Sequence, residues 1–329
     1  MKKILLLGLL LISPLLHAAD KMPDPKVVKI TDRVYALLGP VALPNAHNHG
    51  YMVNSTVIIG DQGVILVDTG STDEVGKNLA KAIAKLTPKP VTHVINTHHH
   101  GDHTLGNIAF PGAQVISSAQ CKAMVEKTGY EWKETMETLI GRKFPNTKPV
   151  PASVTYPDLS RTDITLQGVK MTLWVPKGSH TVGDAIVYLP EDKVLVGGDI
   201  LVNTLTPNLR DGNLANWIAT LDEVKQFDAK TIVPGHGPLM TQADAKKLHD
   251  MMAAFYAGVE AGYKKGLTDS DIRKTLDLKE WKKLKEFDTT MGANINRAYL
   301  EVVPEAKNGE KILGANINRA YLEVEAASF

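Results

Sequence analysis

A dense cluster of histidines at residues 97–103, which read Thr-His-His-His-Gly-Asp-His, constrains this sequence more than any other feature. The apolar run immediately before the cluster is typical of a short buried strand. Alternate residues of an extended segment point the same way, so His98 and His100 can share one metal ion. Asp102 and His103 are then placed to face a second ion. Four ligand-type side chains in six residues argue against an ordinary solvated loop.

Three further residues of ligand type stand alone, each after an apolar strand-like run and close to a glycine. They are His180, Asp199 and His236. Glycine lets the backbone approach a metal ion closely. Zinc readily accepts imidazole nitrogens and carboxylate oxygens. The sequence therefore predicts a metal centre at the histidine cluster, with these three residues as further candidate ligands, although each taken singly could be structural.

Hydrophobic patterning predicts strands and helices in two similar halves. Strands are expected at residues 27–38, 51–59, 64–68, 91–96, 169–175, 185–189, 193–196 and 231–233. Helices are expected at residues 72–86, 214–227, 243–263 and 269–287. Two such halves favour sheets packed face to face with helices outside. The last two helices are expected to pack on the main domain as an appendage.

The two ends of the chain carry segments of a different kind. Residues 292–302 read GANINRAYLEV, and residues 314–324 repeat these letters; we expect one copy to pack and the other to trail. At the other end, Lys2 and Lys3 precede a short apolar run that ends in small residues. This pattern predicts a signal peptide over residues 1–19 and a periplasmic protein, with an uncleaved membrane anchor as the alternative.

Charge balance limits the classes of partner. The formal net charge is +1, from 37 basic and 36 acidic residues. Without a basic excess, nucleic acid is not an expected partner. We expect a small-molecule substrate and no membrane contact after signal cleavage, whereas the oligomeric state stays open.

The order of these residues resembles the metallo-β-lactamase-fold superfamily of binuclear zinc hydrolases. That family's pattern is His-x-His-x-Asp-His followed by a lone His, a lone Asp and a lone His, and the likeness covers residues 27–237. Asp68, in the run Val-Asp-Thr-Gly, matches the family's early Asp-x-Gly element. The resemblance implies an α/β fold, an αββα four-layer sandwich with a C-terminal helical appendage. It places the catalytic domain at residues 25–240, a C-terminal helical extension at 241–302 and a tail with the duplicated segment at 303–329.

The resemblance also implies a role for each residue. His98, His100 and His180 bind the first zinc, Asp102, His103 and His236 bind the second, and Asp199 bridges the two. A hydroxide between the metals attacks a carbonyl carbon. Asp102 orients that hydroxide, and Asp68 fixes a histidine tautomer from behind the site.

The substrate class implied is a lactam, lactone or (thio)ester. Residues 188–198 and 211–217 resemble true zinc β-lactamases, but Asp199 and Val202 replace a metal-binding Cys and a carboxylate-binding Lys of one lactamase subclass. A bridging Asp is the pattern of lactonases and thioesterases such as glyoxalase II. Other stretches are similar to exported zinc metallohydrolases associated with quinoproteins. A mono-iron persulfide dioxygenase-like oxidoreductase and a glyoxalase II-like thioesterase are the alternatives.

Four residues are candidates for substrate contact. His47 and His49 lie in a segment, residues 43–50, that resembles a mobile loop closing over the site in related enzymes. Arg210 and Asn213 follow Asp199 and are candidates to hold a substrate carboxylate, because Arg suits carboxylate geometry. For all four, an ordinary solvated side chain is the competing interpretation.

Overall fold

The computed structural model describes residues 21–302, so the predicted signal peptide and the tail with the second repeat copy lie outside it. Twelve strands of this part form two sheets. The first sheet has the spatial order β1 (Lys26–Lys29), β2 (Val34–Leu38), β3 (Ser55–Ile59), β4 (Val64–Val67), β5 (Val91–Ile95), β6 (Gln114–Ser118), β7 (Val154–Tyr156). The second contains β8 (Ser160–Leu166), β9 (Val169–Val175), β10 (Ile186–Leu189), β11 (Val194–Val202) and β12 (Thr231–His236), with β12 and β8 at its edges.

Seven α-helices accompany the sheets in the described residues. They are α1 (Asp73–Leu86), α2 (Gly101–Thr104), α3 (Ala119–Ile140), α4 (Leu214–Val224), α5 (Gln242–Lys264), α6 (Asp269–Thr275) and α7 (Phe287–Val302). Helix α1 begins where Thr72 accepts a hydrogen bond from the Val75 amide, which satisfies one of the unpaired donors of the first turn. None of the helices in residues 21–302 is both long and apolar enough to cross a bilayer.

Three hydrophobic clusters account for a four-layer arrangement. Inward-facing residues of both sheets share one cluster, which joins Ile65 of β4 to Leu173 of β9. A second cluster packs α1 on the outer face of the first sheet, and a third packs α4, α5 and α7 on the second sheet. The prediction of an αββα sandwich with C-terminal helices is confirmed.

Strand direction explains where the strand ends meet. Strands β4, β5, β6 and β7 run parallel, since helices such as α1 carry the chain back between them. Strand β12 likewise runs parallel to β11 after the crossover through α4. The carboxyl ends of β5, β11 and β12 therefore point toward the same edge of the sandwich.

Several sequence-based boundaries are wrong. The strand expected at residues 51–59 begins only at Ser55, and the one expected at 193–196 continues to Val202. Two other expected elements are divided. The strand expected at residues 27–38 is a hairpin, because the Thr31 hydroxyl accepts hydrogen bonds from the backbone amides that turn the chain between β1 and β2. The helix expected at 269–287 ends at Thr275, and α-helix resumes only at Phe287, after a short 3-10 helix at Trp281–Lys283. Between them, Lys285 is tied to the main domain through backbone hydrogen bonds to Thr204 and Thr206. The first repeat copy forms most of α7, with Ile295 in the core, whereas the second copy lies outside the described residues.

Candidate metal centre

The seven predicted metal ligands converge at one edge of the sandwich. His98 and His100 follow β5, and Asp102 and His103 lie in the short helix α2. The other three come from the second sheet: His180 from the loop after β9, Asp199 from β11, and His236 from the end of β12. The ligands lie in or just beyond the carboxyl-terminal parts of β5, β9, β11 and β12, which meet at this edge.

One group of ligand atoms is built around His100. The Nε2 of His180 lies 3.1 Å from Nδ1 of His100 and 3.5 Å from Oδ2 of Asp199. The Nε2 of His98 lies 4.0 Å from the same Asp199 oxygen. These four side chains each offer one atom, and all four atoms lie within 4.8 Å of one another. Three imidazoles and a carboxylate match the donors that zinc uses.

A second group lies beside the first. Oδ2 of Asp102 is 3.4 Å from Nε2 of His103 and 3.2 Å from Nε2 of His236. Asp199 reaches this group too, with Oδ1 3.3 Å from His103 Nε2 and Oδ2 3.3 Å from His236 Nε2. Asp199 therefore lies between the two groups, at the position that the sequence assigned to a bridge.

The centre fits divalent metal ions. Nε2 of His98 and Oδ1 of Asp199 are buried and have no hydrogen-bond partner among the described residues. Leaving such atoms unsatisfied is costly, and a cation held between them removes the cost. Glycine was expected where the backbone closely approaches the centre. Gly235 is such a position, because a Cβ atom there would overlap the Asp199 carboxylate.

Buried partners orient three of the imidazoles from behind. Nδ1 of His103 lies 2.8 Å from Oδ2 of Asp68, which places Asp68 where the sequence predicted a partner that fixes a tautomer. Asp68 has a positive φ of 59° and also accepts hydrogen bonds from the Thr97 amide and hydroxyl. Thr97 in turn lies 3.0 Å from Nδ1 of His98, and the carbonyl of Met52 lies 3.2 Å from Nδ1 of His236. Each contact leaves Nε2 directed into the centre.

Asp211 is a residue that sequence reasoning missed. Its Oδ2 lies 2.9 Å from Nε2 of His100, so His100 presents Nδ1 to the centre. The same oxygen lies 3.1 Å from Nε and 3.0 Å from Nη2 of Arg210. An aspartate 111 residues from its histidine gives no sequence signal, because only the tertiary fold brings the two together.

Burial and charge set opposite protonation tendencies in the two groups. Burial lowers the pKa of His100 to about 4, although Asp211 opposes the shift, and burial together with neighbouring histidines lowers the pKa of His98. Burial also disfavours protonation of His236, but Asp199 and Asp102 outweigh it and raise the pKa of His236 to about 10. A neutral imidazole is the form that binds metal. The carboxylates of Asp102 and Asp199 both lie beside His103 and His236. A cation would therefore be attracted most strongly to this second group.

A cavity opens over the centre. Its wall is formed by loop residues, α3, the segment after β11 and the start of α7, and includes Leu43, Pro44, Met52, Trp132, Met136, Leu139, Val202, Leu205, Arg210, Glu286 and Thr290. His100, Asp102, His180, Asp199 and His236 form its floor. The ligands are therefore accessible to a small molecule.

The four candidates for substrate contact are placed differently. Arg210 lines the cavity, with its guanidinium carbon 4.8 Å from the centre of the Trp132 ring. Asn213 is not among the lining residues, and its side-chain oxygen instead accepts from the Asn216 amide and caps α4. Neither His47 nor His49 lines the cavity, although Leu43 and Pro44 of the same loop do. Nδ1 of His49 lies 3.1 Å from the Arg142 guanidinium.

Comparison with known proteins identifies the class. The sequence model of the Metallo-beta-lactamase superfamily matches residues 50–236. A Metallo-beta-lactamase type 2 of a Bacillus species is 28% identical over 56% of this chain and 66% of its own length. A linear primary-alkylsulfatase of a Pseudomonas species is 23% identical over 66% of this chain, and the chain spans about half (48%) of that protein. The metallo-beta-lactamase FIM-1 from Pseudomonas aeruginosa, solved in its mono-zinc form, aligns over 72% of this chain and 98% of its own with a TM-score of 0.57 and 21% identity.

The chain therefore belongs to the metallo-beta-lactamase superfamily. The solved structure adds likeness of fold alone, because its sequence identity is low.

Proposed function

We propose that this protein holds two zinc ions and hydrolyses a lactam, lactone or (thio)ester carbonyl. One observation carries the proposal: seven ligand-type side chains form two adjacent groups that share Asp199. A relative solved in a mono-zinc form supports zinc as the metal. The bridging aspartate supports two ions rather than one.

The chain's own residues suit such a reaction. Bound zinc ions would lower the pKa of a water molecule and polarise the carbonyl oxygen. Asp102 and Asp199 both line the cavity, so their carboxylates can accept a hydrogen bond from the attacking water and hold it toward the substrate. Asp68 and Asp211 lie on the far side of the imidazoles and act as positioning residues, because they contact histidine rings and neither lines the cavity.

We also propose that the protein is exported to the periplasm and loses residues 1–19. Two lysines, a short apolar run and terminal alanines support this destination. Fractionation of cells that express the full chain, with the N-terminal sequence of the mature protein, tests the proposal. Mature protein in the cytoplasm with an intact N-terminus would contradict it.

Metal analysis and a substrate panel test the proposed chemistry together. The purified protein is analysed for zinc and iron, then assayed before and after chelation with a chromogenic cephalosporin, a lactone, a thioester and a primary alkyl sulfate. We expect two zinc ions per chain and chelator-sensitive turnover of a carbonyl substrate that zinc restores. One iron and no zinc would promote the dioxygenase alternative, and turnover of the sulfate alone would contradict carbonyl chemistry.

A ligand variant and its control complete the test. Asp199→Ala should abolish turnover and reduce the zinc content, because it removes the oxygen atoms shared by both groups. His249→Ala removes a histidine on α5 that lies outside both groups and should leave zinc and turnover unchanged. Full activity of Asp199→Ala would refute the ligand assignment.

A further inference from the structure

The wall of the cavity is apolar over much of its surface. Its apolar side chains come from the loop after β2, from α3 and from the segment after β11, and include Leu43, Pro44, Trp132, Met136, Leu139 and Leu205. A substrate that reaches the floor must place its remote part against this wall. Burial of an apolar group there is favourable in proportion to the area removed from water.

Positive charge on this wall is already neutralised. Apart from the histidines, Arg210 is the single basic residue among the described residues that line the cavity. Its guanidinium is ion-paired with Asp211 at 3.0 Å and stacked on Trp132, and its side chain is only 17% exposed. The same Asp211 oxygen also contacts His100, and while Arg210 is paired with it, Arg210 has little charge to offer a substrate carboxylate.

One glutamate also lines the cavity. Glu286, from the segment that precedes α7, lines the cavity and has a positive φ of 59°. Its neighbour Lys285 fixes the segment through backbone hydrogen bonds to Thr204 and Thr206. Glu286 accepts a hydrogen bond from Thr289 at 3.1 Å, and no basic group in residues 21–302 forms a salt bridge with it. Glu286 therefore contributes an acidic residue to the cavity lining, and it forms no salt bridge within residues 21–302.

We infer that Glu286 is a specificity-determining residue, which makes the cavity favour substrates whose remote part is neutral and apolar over substrates that carry a carboxylate there. This inference rests on the proposed hydrolase function. Metal ions at the floor would attract the reacting oxygen of both substrates and also a remote carboxylate, but this attraction is the same in the wild type and in a variant at residue 286. The change in substrate preference between wild type and variant therefore reports the effect of Glu286.

A matched pair of esters tests the inference. 4-Nitrophenyl hexanoate and mono-4-nitrophenyl adipate have the same chain length and leaving group, and they differ in a terminal methyl against a terminal carboxylate. The zinc-loaded wild-type protein should have the higher kcat/KM for the hexanoate. Glu286→Gln should raise kcat/KM for the adipate about two- to fivefold, as expected for unit charges separated by several ångströms near a wet surface, and leave the hexanoate unchanged.

Two further measurements separate charge from structure. Glu286→Lys should raise the adipate-to-hexanoate ratio beyond that of the Gln variant. Raising the salt from about 20 mM to about 500 mM should raise this ratio in the wild type and much less in Glu286→Gln, because salt screens exposed charges. Asp288→Asn, an equal charge change at an exposed neighbour that does not line the cavity, is the control and should change neither ester.

The outcomes distinguish the inference from the proposed function. If neither these esters nor the cephalosporin, lactone and thioester are turned over in a chelator-sensitive way, the proposed function fails. If both are turned over and the ratio is the same in wild type, Glu286→Gln and Glu286→Lys, the role of Glu286 is refuted. A ratio that shifts equally in Asp288→Asn would refute it as well, because general charge and not Glu286 would then be responsible.

Discussion

Replacing Asp211 with alanine should weaken zinc binding at the His98–His100–His180 group and leave the Asp102–His103–His236 group nearly unchanged. The Asp211 oxygen lies 2.9 Å from Nε2 of His100, and the aspartate is 29% exposed at its side chain. Removing a carboxylate behind a metal-binding histidine typically costs 10- to 100-fold in metal affinity, which corresponds to about 1.4 to 2.7 kcal/mol. We expect about tenfold, because partial exposure lets water replace the lost acceptor.

Zinc titration against a chromogenic chelator measures this effect directly. The wild type should release two zinc ions in tight steps, whereas Asp211→Ala should lose one ion at a clearly lower chelator concentration. Asp211→Asn keeps an acceptor oxygen without its charge, so its affinity should fall between the two. Asp228→Asn, at an exposed aspartate that pairs with Lys193 and belongs to neither ligand group, is the matched control. Equal affinities for both ions in Asp211→Ala, in a protein that melts like the wild type, would refute the positioning role.

Three further predictions concern stability. Glu137→Gln should destabilise the protein by about 2 kcal/mol at neutral pH, because Lys133, Lys143 and the Phe144 amide lower the pKa of this buried carboxylate to about 2. Because the pKa of Glu137 is lower in the folded than in the unfolded protein, the difference in urea midpoint between wild type and variant should shrink as the pH falls from about 4 toward 2. A difference in midpoint that stays constant over this range would contradict the account. Trp217→Phe should cost about 2 kcal/mol in urea unfolding, because the buried indole donates to the Ile200 carbonyl at 2.9 Å, and an unchanged midpoint would contradict it. Removing metal with a chelator should lower the melting temperature by several degrees and added zinc should restore it, since a ligand that binds only the folded state stabilises it; identical melting curves would contradict metal binding at the folded centre.

The part of the site that the sequence predicted is the part encoded locally. The four ligand-type residues at 98–103 lie in one short segment after an apolar strand, so alternation of side chains fixes their relative directions. His180, Asp199 and His236 are isolated, but each follows an apolar run near a glycine, and parallel strands end at one edge. The αββα layering was predictable for the same reason, because strand and helix periods are visible in short windows.

The boundaries that failed depend on interactions that the local pattern does not carry. The hydrophobic alternation of residues 27–38 continues through a turn that is made by the Thr31 hydroxyl and by backbone amides that donate to the Val34 carbonyl. The helical composition of residues 269–287 gave no hint that Lys285 would instead pair with the segment after β11. In both places a few hydrogen bonds to the backbone outweighed helix or strand propensity.

Residues that reach the site from other parts of the fold could not be predicted from the local sequence either. Asp211 acts on a histidine from the other half of the fold, and Glu286 reaches the cavity from the C-terminal extension. The ligands themselves are shared across a family whose members act on different bonds, so they cannot by themselves select a substrate. In this protein the ion pair of Arg210 with Asp211 uses the same carboxylate that orients His100. A change that freed Arg210 for a substrate carboxylate would therefore also disturb a metal-binding histidine, which couples substrate charge preference to metal affinity.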